Sequence, residues 1–173
     1  MRRILFISLV VLGCAKEPAA TVAAPAAPKA PLQTVEPDCT LQTPLVEGIP
    51  GSPGHLIPSQ RNPNGDSELA ALMRKMQGDL EKARELVLKN EVPQPMLSRH
   101  RRIRCSWPTV ATDRDAAFDG FAVGYLDAVK AFDAAPDKKA AFGAMVAACR
   151  ACHERACPGP IAAIDQLKIP DGR

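Results

Sequence analysis

Toward the end of the chain, Cys149-Arg150-Ala151-Cys152-His153 sets two thiols three residues apart, with an imidazole directly after the second. On a helix that spacing brings both thiols to one face, one turn apart. Each can then form a thioether with one of the two vinyl groups on the edge of a porphyrin. The next residue turns its imidazole under the ring, where it can bind iron. The CxxCH spacing is the signature of c-type haem attachment. It predicts one covalent haem c, with Cys149 and Cys152 as the thioether cysteines and His153 as the proximal ligand.

Two other chemistries use the same residue types. A redox-active CxxC pair sits characteristically at a helix N-terminus, where the dipole lowers a thiol pKa. A zinc site wants four N or S ligands, typically in two separated pairs. Cys149, Cys152, His153 and Cys157 would all have to come from one helix, which wraps a metal ion poorly. No acid/base pair or nucleophile constellation argues for an enzyme.

The element that carries the motif must be a helix. Phe142, Met145, Val146, Cys149, Cys152, His153 and Ala156 recur at three- and four-residue intervals over residues 137–157, with Asp137 as N-cap and Pro158 as a stop. The spacing predicts both thiols and the imidazole on the buried face. Two further long helices read the same way. Over 66–90, Leu69, Leu72, Met73, Met76, Leu80, Ala83 and Val87 form an apolar stripe opposite Arg74, Lys75, Asp79, Glu81, Lys82 and Glu85, closed by Pro93. Over 113–134, Phe118, Phe121, Ala122, Tyr125, Val129 and Phe132 do so, closed by Pro136. Residues 94–103 are short and weakly patterned. Three amphipathic helices and one short one, joined by brief connections, predict an all-α, up-and-down four-helix bundle with a short second helix. The chain has five Phe, one Tyr and one Trp, with Phe6 in the leader. A haem would supply the large flat apolar body that such a bundle lacks.

A four-helix bundle with CxxCH on its last helix resembles the cytochrome c-prime and cytochrome c-556 family, over roughly residues 66–157. The resemblance implies His153 as proximal ligand. It also implies either a methionine from the first helix on the distal side or an open site for small gases such as nitric oxide. In an up-and-down bundle Met73 lies roughly 10 Å into the first helix and His153 roughly 6 Å from the end of the last, at 1.5 Å per residue. These heights are compatible with a shared haem. Met73 is the expected distal ligand and Met76, a turn further on, the alternative. Three departures stand out: the short second segment, Ala156 and Cys157 where the family often has an aromatic and an Arg, and an N-terminal extension.

That extension begins with a targeting segment. Arg2 and Arg3 precede an apolar run over residues 4–12, far shorter than the ~20 residues of a spanning helix. Val11-Leu12-Gly13-Cys14 resembles a bacterial lipobox, so residues 1–13 read as a lipoprotein signal peptide and Cys14 as the lipidated residue. Ala15 is not the Asp of an inner-membrane retention signal, which favours the outer membrane, periplasmic side. Residues 14–64, rich in Pro, Ala and Gly, read as a disordered lipid-anchored tether, and 65–173 as the haem-binding domain. Removing Arg2 and Arg3 lowers the formal charge of +3 by two. Nothing therefore asks for a nucleic-acid partner. The expected partners are the membrane, through the anchor, and a redox protein; a homodimer is compatible with the pattern.

Cys39, Cys105 and Cys157 remain, an odd number, so one disulfide and one spare thiol is the simplest outcome. The connection before the third helix and the end of the last fall at one end of such a bundle. This predicts Cys105–Cys157, with Cys39 able to compete from the tether. In Ser98-Arg99-His100-Arg101-Arg102, His100 reads as solvated and the run as an exposed face. A docking patch for an acidic partner, or counter-charge for haem propionates, is its functional reading. Electron transfer is the first function expected, five-coordinate gas binding the second, and a non-haem, disulfide-bonded envelope lipoprotein the third.

Overall fold

The computed structural model describes residues 39–170. In chain order it contains α1 (Glu68–Leu88), α2 (Leu97–His100), 3-10 turns at Arg101–Cys105 and Ala111–Asp113, α3 (Ala116–Ala134), α4 (Lys138–Ala156) and α5 (Ile161–Asp165). Among the described residues there is no strand, only an isolated antiparallel bridge between Ile57 and Asp66. The chain is all-α. The leader and Cys14 lie outside the described residues.

Local chemistry sets the helix ends. Ser67 caps α1 by accepting from the Ala70 N–H. Its end comes earlier than Pro93 would require, because Asn90 takes a left-handed φ of 58°. The Glu91 N–H then reaches the Leu86 carbonyl at 2.8 Å and the Asn90 N–H the Val87 carbonyl at 3.1 Å, a Schellman closure. Asp115 and Asp137 cap α3 and α4 through the N–H groups of Phe118, and of Lys139 and Ala140. The phase of α4, and with it the facing of the motif, is thereby fixed from its first turn.

The stripes bury as their spacing dictates. Met76, Leu80, Ala83 and Val87 from α1 meet Ala122, Tyr125, Val129 and Phe132 from α3 and Phe142, Met145 and Val146 from α4. Phe132 and Phe142 meet edge to face at 5.9 Å.

Residues 96–105 run back between α1 and α3. Their polar partners descend in sequence on both sides. Arg99 pairs with Asp79 and Arg102 with Glu68 on α1. The Met96 and Leu97 N–H groups reach Asp133 and Arg104 reaches Asp119 on α3. The segment is therefore antiparallel to both helices, and Asp133 supplies the N-terminal cap that α2 lacks in its own sequence. Arg99, Arg102 and Arg104 fasten this strap to its neighbours, while Ser98, Arg99 and Arg102 keep the exposed face expected of the basic run.

Two regions depart from expectation. Residues 39–64, expected as tether, are folded against the helices. Arg114 donates to the carbonyls of Thr40, Thr43 and Arg104. Trp107 Nε1 donates to the Val46 carbonyl, and the Glu68 N–H to the Gly51 carbonyl at 3.1 Å. Gly51 has φ +94°, and a Cβ there would sit 2.3 Å from the Glu68 nitrogen, so no other residue fits this junction. Beyond α4 the chain turns through Pro158 and folds back as α5. Ile164 and Leu167 enter the core, and Arg84 on α1 donates to the Lys168 carbonyl.

The disulfide expectation is corrected. Cys39 is bonded to Cys105, with 5.5 Å between their Cα atoms, and Cys157 is a free, exposed thiol. Arg114 draws residues 40–43 onto the chain beside Cys105, which brings Cys39 to it, while Cys157 ends α4 facing solvent. One disulfide and one spare thiol remain the outcome, with the pairing changed.

Candidate functional site

The motif occupies the last turns of α4, where the apolar stripe passes from core to margin. Phe142, Met145 and Val146 are at most 2 % exposed. Over the next three turns, Cys152 is buried, Cys149 and His153 are half-buried, and Ala156 is exposed. Arg150, between the thiols, points to the outer face, bonding Asp165 of α5 at 3.0 Å and pairing with Glu154.

His153 Nδ1 lies 2.9 Å from the Cys149 carbonyl. With Nδ1–H donated to that carbonyl, Nε2 is the ring nitrogen left to meet a metal. This is how axial histidines are oriented by a backbone acceptor.

Both motif thiols are shifted upward. Burial pushes the Cys149 thiol up to about 12, a hydrogen bond with Tyr125 offsetting only part of that. Burial, with Cys157 nearby, also raises Cys152. A reactive dithiol requires the opposite shift. Among the described residues no three His, Cys, Asp or Glu side chains gather as a metal cage. The donor set has the composition haem c attachment uses: two thiols one turn apart and one imidazole held through Nδ1. Cys149 and Cys152 would hold such a group and His153 would bind its iron.

On α1 the two methionines differ. Met76 is 4 % exposed and lines the groove between α1 and the strap, whereas Met73 is half-buried and packs against the margin of the core.

His100, expected to be solvated, is wholly buried. Its Nδ1 lies 2.8 Å from the Tyr125 hydroxyl and its Nε2 3.2 Å from Asp79. The Tyr125 hydroxyl in turn lies near enough to the Cys149 thiol for each to shift the other's pKa. Burial lowers the His100 pKa against the opposing pull of Asp79. For Asp79, burial raises the pKa, but hydrogen bonds from Arg99 and His100 together hold the carboxyl below its ordinary value. Asp79 and His100 line a groove of about 770 Å³ between α1 and the 99–106 strap. Four elements thus contribute one residue each to a file of polar groups from that groove to the first motif cysteine. No periodicity in the sequence signals this, since the partners are 21 to 25 residues apart.

Comparison of the chain with family models, with curated proteins and with solved structures yields no match in any of the three.

Proposed function

We propose that this chain is a c-type cytochrome with one haem attached through Cys149 and Cys152 and its iron bound by His153. The reading is carried by one observation: both thiols and a backbone-oriented imidazole sit together where α4 leaves the core. Elevated thiol pKa values, which suit neither a dithiol redox pair nor a nucleophile, add support. The helices fit an up-and-down four-helix bundle, with residues 96–105 as its short second rung, similar to the cytochrome c-prime and c-556 family.

Electron transfer in the cell envelope is the function this supports. The haem supplies the ferric/ferrous couple, and the chain supplies the ligands, the burial and the attachment. Met73, half-buried on α1, is the proposed distal ligand. Its absence from the iron would instead leave a five-coordinate, gas-binding centre. The Cys39–Cys105 disulfide fits an oxidising compartment, in keeping with export and lipidation at Cys14, on the periplasmic side with the outer membrane favoured.

The deciding experiment is expression with a c-type maturation system. The exported protein should gain one haem's mass, keep it through acid–acetone extraction, and lose it in Cys149→Ala/Cys152→Ala. A colourless product of apoprotein mass, where a control cytochrome matures, would overturn the reading. In the loaded protein, a low-spin spectrum that Met73→Ala converts to high-spin identifies Met73. A parent spectrum that is already high-spin assigns gas binding.

A further inference from the structure

Asp79 on α1, His100 on α2, Tyr125 on α3 and Cys149 on α4 stand in a single file through the core. The hydrogens along it are countable. With Asp79 ionised and His100 neutral, Nε2 carries the ring hydrogen and donates to Asp79. Nδ1 then accepts from the Tyr125 hydroxyl, which lies beside the Cys149 sulfur.

A thioether at Cys149 removes the last hydrogen of that file. Tyr125 then holds one proton between two acceptors, the His100 Nδ1 and the sulfur. If His100 takes up a proton, its Nδ1–H donates to the Tyr125 oxygen and the hydroxyl hydrogen turns to the sulfur. We propose that His100 and Tyr125 form a proton switch on the haem edge, in which protonation of His100 delivers a hydrogen bond to the Cys149 thioether and favours the ferrous state. This rests on the haem reading above. The proton enters from the groove that Asp79 and His100 line.

Burial has the largest influence and lowers the His100 pKa; against it Asp79 from α1 and Asp133 from α3 favour the protonated form, and Arg99 on its own helix opposes it. Tyr125 from α3 and, behind it, Cys149 from α4 complete its surroundings. A buried positive charge and a donor on the sulfur both stabilise the electron-richer state. The potential should therefore be higher below the His100 pKa and fall as pH rises through it. By linkage, reduction should tighten the proton on His100.

His100 and Tyr125 are positioning residues here, acting through Cys149, and the reduction potential is a readout that packing alone would not make pH-dependent. The test is potentiometric titration of the full, haem-loaded chain from about pH 4 to 8, a window that reaches below the ordinary histidine range because burial lowers the His100 pKa. The wild type should fall by up to about tenfold in its ferric/ferrous equilibrium, or ~59 mV for a one-electron couple. Tyr125→Phe and His100→Gln should flatten that step. Should the His100 variant fail to fold, Asp79→Asn, at the groove, must move the step to lower pH. A loaded wild type with a flat potential, or a step unchanged in Tyr125→Phe, overturns the proposal. Absence of a pyridine haemochrome from the wild type is a distinct result: it removes the haem reading and the switch with it.

Discussion

The two halves of α4 are one helix with two different neighbourhoods. From Phe142 to Val146 the inward side chains are sealed against α1 and α3, at most 2 % exposed. From Cys149 to Ala156 the same face moves to the margin, and chemistry-bearing residues replace hydrocarbon. α1 mirrors the pattern: Met76, Leu80, Ala83 and Val87 are buried, whereas Leu69, Leu72 and Met73 are only partly covered. One region is a finished core that fixes the helices. The other is an edge whose composition is set by something besides packing.

Truncation should separate the two regions most sharply. Phe142→Ala removes a ring that is wholly buried and packed on Phe132. It should cost about 3–5 kcal/mol in urea unfolding. His153→Ala in the haem-free chain should stay within about 0.5 kcal/mol. Equal losses would mean that the motif is part of the core and that the contrast is false.

The second prediction concerns what holds the margin. Cys39→Ser/Cys105→Ser opens a loop spanning 66 residues and should cost about 2–5 kcal/mol. Protease sites in residues 39–64 should open before those in α3 or α4. Uniform cleavage of all three would show that the N-terminal segment and the helices unfold as one unit.

The smallest effect is a pH dependence at the boundary between the regions. Burial raises the Cys149 pKa from 9.0 to about 12 in the folded, haem-free chain. A raised thiol pKa means that folding favours the protonated form. Its contribution is whole below the unfolded value and is lost as pH rises toward the folded one. The urea midpoint of the wild type should therefore fall, relative to Cys149→Ala, on going from about pH 8 to 10.5, above the ordinary thiol range. Parallel curves would place Cys149 in contact with water.

What the sequence disclosed follows the reach of each signal. Asp137, Pro136 and the three-to-four spacing are local, and they placed α3 and α4 to within a few residues. The CxxCH spacing is equally local. His100 was misread because its neighbours in sequence are arginines, whereas its neighbours in space are Asp79 and Tyr125. Residues 39–64 looked like tether because their backbone groups bond to Arg114, Trp107 and Glu68, partners with no fixed spacing. Cys39 was recognised as a residue that could be pinned, but composition could not choose between it and Cys157. Helix α5 was missed although Ile161, Ile164 and Leu167 repeat every third residue; five residues are too few for a periodic signal to stand out.

The Cys39–Cys105 bond also sets a length. Twenty-five residue steps separate Cys14 from the point where the disulfide fastens the chain, a contour of no more than roughly 80–90 Å at 3.3–3.6 Å per step. Were Cys14 held in a membrane, as proposed, that contour would bound the domain's reach, and encounters with a membrane-bound partner would depend on it more than on bulk concentration.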